Sequence, residues 1–167
     1  MKKILATVMS IALILVLFSG CGRDGAGNGS GGTISGSCEE ILNAVYEKAD
    51  FDQGFRDSMD SYVTNAIDET TQDYILGTDA VKYTDSACSM PLVTATAYQC
   101  VILRLAEGED AEAAKKALRD NADPRKWVCV EPESIIVENA GDVILYIMAD
   151  KEIAEAVKTA FLGLKSA

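Results

Sequence analysis

The sequence predicts an α+β domain: N-terminal helices, then two strand–strand–helix units forming a mostly antiparallel four-stranded sheet with helices packed on it. Three observations predict it. Residues 101–106 (Val-Ile-Leu-Arg-Leu-Ala) and 143–148 (Val-Ile-Leu-Tyr-Ile-Met) are short and rich in β-branched and aliphatic side chains, as strands are. Each is followed by an Ala-, Glu- and Lys-rich stretch, 111–118 and 154–161, with apolar positions three and four apart, as in helices. The two copies are offset by 42 residues in the strand block and 43 in the helix block, so the pattern recurs with one residue gained. So short a repeat speaks for architecture and not for ancestry.

The elements follow in order from the N-terminus. Lys2 and Lys3 precede an apolar run over 4–18, and the small residues Ser19 and Gly20 close it. A charged start, a short apolar core and small residues before the cut describe a secretory leader and not a membrane span. Cys21 directly after the small pair resembles the lipobox of bacterial lipoproteins, although Phe18 stands where Leu is usual. That resemblance implies a diacylglycerol on the Cys21 thiol and loss of residues 1–20. Two acyl chains suffice for stable attachment, so the expected localisation is the cell membrane, lipid-anchored, on its extracytoplasmic face.

Residues 21–36 read as the lipidated cysteine and a flexible tether, because 22–36 hold seven glycines in fifteen positions. Its mean reach is roughly 20–25 Å. A single globular domain is expected over 37–167. Ser37 with Glu40 three residues later is a capping box, and Ile41, Leu42, Val45, Tyr46 and Ala49 give a helix ending near Asp50. Residues 51–58 read as a loop, and a second helix is expected over 59–67 on Tyr62, Val63 and Ile67. Asp50 and Asp52 alternate as in a calcium loop. Gly54 is one place early, however, and Ser61 replaces the bidentate Glu, so the stretch reads as a solvated acidic loop.

Strand 80–89 precedes strand 101–106 across a loose turn holding Pro91, and Pro124 separates the two units. Strand 134–138 precedes strand 143–148 across the tight turn Asn139-Ala140-Gly141-Asp142. Alternation is expected to put Val101, Leu103 and Leu105 on one sheet face with Val143, Leu145 and Ile147. Ala114, Leu118, Ile153, Val157 and Phe161 of the two repeat helices would cover that face. Ile102, Ile144, Tyr146 and Met148 would then share the opposite face with Arg104. A sheet apolar on both sides is buried on both sides. The helix over 37–49 is expected across this second face, any gap forming a binding groove.

Composition excludes several chemistries. The chain has 15 basic and 26 acidic residues; losing Lys2 and Lys3 leaves 13 basic and a net charge near −13. Such acidity argues against nucleic acid and against adhesion to anionic headgroups. There is no His, which removes Ser-His-Asp and Cys-His catalysis and every imidazole zinc site. No metal and no cofactor are expected. Of the cysteines beyond Cys21, Cys88 and Cys100 are equidistant from Thr94 in the proposed turn and are candidates for a disulfide across it. Such a bridge would contribute about 3 kcal/mol at best. Buried, reduced thiols are the alternative for Cys38, Cys88, Cys100 and Cys129.

The combination resembles a small family of lipoproteins of Gram-positive, mostly anaerobic bacteria, catalogued as domain of unknown function 4358. The resemblance covers residues 41–164. It rests on Tyr74-Ile75-Leu76-Gly77-Thr78-Asp79, the strand–helix pair 101–118, and Glu131-Pro132-Glu133 leading into 135–148. The extra cysteines and Trp127-Val128-Cys129 depart from its pattern. It implies an exported, lipid-tethered domain and brings no activity. The expected role is a binding or protein-interaction module at the cell surface, its partner a protein or envelope component. An assembly factor of the envelope is the alternative, and no catalytic residues stand out to make it an enzyme. The candidate interaction surface is Trp127, after Arg125 and Lys126, with Ile102, Arg104 and Tyr146. Trp127 reads either as an anchor for an acidic partner or a sugar, or, preferably, as the closure of a core beneath a helix end.

Overall fold

A computed structural model describes residues 32–93 and 95–165. The expected leader, Cys21 and most of the expected tether lie outside the described residues. The domain is α+β, as expected, but its antiparallel sheet has five strands in the order β1-β2-β3-β5-β4. These are β1 (Tyr62–Asn65), β2 (Tyr83–Pro91), β3 (Gln99–Leu105), β4 (Ser134–Ala140) and β5 (Val143–Ala149). The helices are α1 (Cys38–Lys48), α2 (Gln53–Ser58), α3 (Gln72–Leu76), α4 (Ala111–Asp120) and α5 (Lys151–Leu162).

Helix α1 starts as its sequence dictates. The Ser37 hydroxyl accepts from the Glu40 amide at 3.2 Å, and the Glu40 carboxylate accepts from the Ser37 amide at 2.8 Å. The expected loop over 51–58 instead holds α2, because Asp52 caps it by accepting from Phe55 N–H at 2.9 Å. The expected helix over 59–67 is a 3₁₀ turn and then strand β1. Aromatic and β-branched Tyr62-Val63-Thr64 suit a pleated edge better than a helix. In the short α3, Gly77 ends the helix at φ +69°, and a Cβ there would come within 2.1 Å of the Asn121 carbonyl oxygen. That close approach seats α3 against the end of α4.

The layers differ from expectation for a reason of register. Val101 lies opposite Tyr146, Ile102 opposite Leu145 and Leu103 opposite Ile144. Paired residues share a face, so the repeat-equivalent Val101 and Val143 face opposite ways. One face carries Cys100, Ile102, Val143, Leu145 and Ile147, covered by α1 and α5. The other carries Val101, Leu103, Leu105, Ile144, Tyr146 and Met148, covered by α4, α3 and Trp127. Burial on both faces was expected. The two repeat helices lie on opposite sides, however, and α1 shares its face with α5.

The chain enters the domain before Ser37. Ile34 is buried, and the Arg104 guanidinium donates to the carbonyls of Ile34 at 3.0 Å and Gly36 at 2.8 Å. The same guanidinium pairs with Asp142 at 2.9 Å. The end of the expected tether is therefore packed on the domain. Ile34 is the one large apolar residue of 22–36, which is why that end of the segment finds a place in the core. Replacing Arg104 by Ala removes three hydrogen bonds and leaves Asp142, whose Oδ1 has no partner, without its cation. Urea unfolding of Arg104→Ala should show a loss of about 2 kcal/mol, with protease cleavage before Ser37 strongly accelerated.

Candidate functional site

Arg104, Asp142, Ile34 and Gly36 mark the pole of the sheet where the chain enters. The β2–β3 turn, the start of β1 and the start of β4 mark the opposite pole. There, Gln99 is fully buried and opens β3 opposite Met148, which itself lies opposite Ile135. Its side-chain amide donates to the Ile75 carbonyl at 3.1 Å, at the end of α3. The Lys126 ammonium reaches in from the 122–133 segment. It donates to the Gln99 side-chain oxygen and to the Tyr74 carbonyl at 3.1 Å. It also lies 5.0 Å from the Tyr74 ring centre and 5.2 Å from that of Trp127. Burial pushes its amine down to about 8. A cation on the last carbonyls of α3, between two rings, clamps the segment to the sheet. With its acceptors supplied by the protein, this amine is a fastening.

The six exposed large hydrophobic residues among those described are Val63, Tyr74, Leu92, Val93, Val128 and Ile135, the highest being Val128 at 70% and Leu92 at 68%. Topology collects them at this same pole. Val63 lies opposite Met90 at the end of β2, Leu92 and Val93 follow it, and Ile135 begins β4. Tyr74 and Val128 flank the Lys126 clamp. A shallow depression of about 420 Å³ lies beside them, lined by Arg125, Trp127, Cys129, Val130 and Glu131. On the other face of this pole Phe51, Phe55, Tyr62 and Tyr98 pack with ring centres 4.7 to 5.9 Å apart where they touch. Tyr46 joins them through a 2.7 Å hydroxyl contact with Tyr98. A second open depression, about 410 Å³, is lined by Asn43, Tyr46, Glu47, Arg56 and Met59.

The residues expected to form an interaction surface do not meet. Ile102 and Tyr146 are fully buried on opposite faces, Trp127 is buried beneath the clamp, and Arg104 holds the other pole. Trp127 therefore takes the core-closing place expected of it, and the exposed neighbour is Val128. Gln99, Tyr74 and Val63 are not expected from sequence to be site residues, and a lone Gln at the head of an apolar run is the one available signal. The expected Cys88–Cys100 bridge is also absent, and all four described cysteines are free. Cys88 lies opposite Val101, and Ser89 opposite Cys100. The hairpin is centred between Thr94 and Ala95, half a residue past the symmetric point, so the two thiols face opposite sides of the sheet.

Three of these thiols are buried, and burial pushes Cys38, Cys88 and Cys100 each up to about 12. For Cys38 the adjacent Asp85 carboxylate adds to the effect. Asp85 itself is held below the usual carboxylate range, chiefly by the Cys38 amide donating at 2.7 Å. Among the described residues no three His, Cys, Asp or Glu side chains converge as a metal cage would require, and no helix is long and apolar enough to cross a membrane. With the geometry in hand, comparison with family models, curated proteins and solved structures found no match to the chain.

The thiols make a testable pair of outcomes. A thiol reagent on the folded protein should modify exposed Cys129 rapidly and Cys38, Cys88 and Cys100 only on unfolding. Above pH 9 the unfolded chain releases its thiol protons while the folded one keeps them to about pH 12. Stability therefore falls with rising pH across that window. Lys126 acts in the opposite sense between about 8 and 10.5, but one amine is outweighed by three thiols. Denaturant midpoints at pH 9 and pH 11.5 should differ accordingly, and Cys100→Ala should narrow the gap.

Proposed function

We propose that this chain is a lipid-anchored extracytoplasmic protein that works as a protein-interaction module at the cell surface, presenting the pole opposite its anchor. Membership of the lipid-tethered family named above is part of the proposal. The observation that carries it is the separation of the two poles. The chain enters at the Arg104–Asp142 pole, while the six exposed large hydrophobic residues among those described lie at the other. A chain anchored at Cys21 would hold the first pole toward the lipid and leave the second facing outward. The 106–110 connection at the entering pole (Ala-Glu-Gly-Glu-Asp) is acidic, which favours standing off from an anionic bilayer. Exposed apolar side chains gathered at the outward pole favour a docking role there.

Two measurements test this. Cys21→Ser should move the protein from the membrane fraction to the soluble or secreted fraction, and equal membrane partition of both forms would defeat the anchor. A photo-crosslinking residue placed at Val93 in intact cells should give discrete adducts, whereas one at Glu107 should give few. Equal labelling from both would defeat the polar presentation.

A further inference from the structure

The two free edges of the sheet are treated differently. In the β4–β5 hairpin the alternation of paired groups turns the Val137 carbonyl outward, away from β5. There the Arg119 guanidinium of α4 donates to it at 2.7 Å, so one outward group of this edge is taken from within the domain. At the opposite edge, Leu92 N–H donates to the Ser61 carbonyl at 2.9 Å, and β1 then pairs residue for residue with β2. That alternation turns Val63 and Asn65 toward β2 and Tyr62 and Thr64 outward. The Tyr62 amide is taken by the Met59 carbonyl in the 3₁₀ turn. The Tyr62 carbonyl and both backbone groups of Thr64 are left on an open edge, and Val63, Thr64 and Asn65 are exposed.

Natural edges are blunted by Lys, Pro, bulges or covering elements. The strand Tyr62-Val63-Thr64-Asn65 has no Lys and no Pro, and its pairing with β2 runs without a bulge. Its surroundings in the chain are strongly acidic: residues 50–73 hold seven acidic residues and one basic one. The basic one, Arg56, is occupied by the Ala49 carbonyl and the Phe51 ring. Asp57 and Asp60 precede the strand, and Asp68 and Glu69 follow it.

We propose that β1 is a strand-addition site for an extended, Lys- or Arg-bearing segment of a protein partner. The segment would pair along the Tyr62–Asn65 edge while its cations meet the acidic flanks. Main-chain pairing supplies the affinity in this mode and alternate side chains the selectivity. On one side of the added strand, Val63 and Met90 offer apolar contact; on the other, Tyr62 does. The inference rests on the interaction-module reading and names its partner chemistry. A second copy is the disfavoured occupant, because each copy brings the same acidic flanks to the contact.

The test uses the full chain in mild detergent and two synthetic heptapeptides, one alternating Val with Lys and one alternating Val with Glu. Hydrogen-exchange mass spectrometry should show new protection confined to the peptide spanning 62–66 with the Lys probe and none with the Glu probe. Thr64→Pro removes an outward amide at an edge position that tolerates Pro, and should abolish that protection. A thermal melt reports whether it remains folded. Independently of that variant, Asp60→Lys with Glu69→Lys should weaken the Lys probe about tenfold at low salt and admit the Glu probe. No protection over 62–66, or protection unchanged by Thr64→Pro, overturns the proposal. Protection that appears instead at Tyr74, Leu92 and Val128 overturns strand addition while leaving the interaction module standing. Concentration-dependent protection of 62–66 without any probe assigns the edge to a second copy and likewise overturns it.

Discussion

Ile102 sits opposite Leu145 and Leu103 opposite Ile144, and β3 and β5 are apolar at nearly every position. A central pair of this kind exposes aliphatic side chains on both faces, so neither can be left to water. Every other layer answers that demand. Helices α1 and α5 cover one face, while α4, α3 and the segment bearing Trp127 cover the other. The N-terminal residues are drawn in for the same reason, with Ile34 joining the core while Arg104 ties down the backbone that carries it. Arg104 is the one charged side chain of the central pair, and it stands at the end of its strand where a carboxylate and two carbonyls can reach it.

Local signals carried much of this fold. The capping box at Ser37, the two aliphatic strands, the turn at Gly141 and the Ala-rich helices each act within a few residues, and each formed where its residues stand. What depends on pairing was not legible. Whether Val101 meets Val143 or Tyr146 on one face is a matter of a single-residue register, and nothing in either strand alone records it. The same half-residue displacement of the β2–β3 turn separates Cys88 from Cys100. Strand β1 was missed for a related reason. Tyr62, Val63 and Ile67 fit helical spacing, and only the available edge of β2 decides that they pair instead.

The candidate surface illustrates the same division. Trp127, Ile102, Arg104 and Tyr146 are conspicuous as residue types, yet burial uses them for the core and for the entering pole. The exposed apolar residues are dispersed through the sequence from Val63 to Ile135, and only the topology gathers them. Lys126 explains how such a surface keeps its shape. By donating across to α3 and Gln99, it fixes an irregular segment that has little regular structure of its own. An amine held with a depressed affinity for its proton between two rings marks a local cost, borne by the packing of Tyr74 and Trp127.

The contrast between the two sheet edges is tied to the charge of the whole chain. An open edge ordinarily invites pairing with an identical edge, and at β4 the Arg119 guanidinium occupies one outward carbonyl. The β1 edge lacks that device, and its flanks are acidic instead. Repulsion between like flanks opposes self-pairing at no cost to the edge's own hydrogen-bonding groups. Charge is thus a selective guard. It opposes pairing with copies of the same chain and with other acidic chains, and it leaves the Tyr62 carbonyl and both backbone groups of Thr64 unpaired.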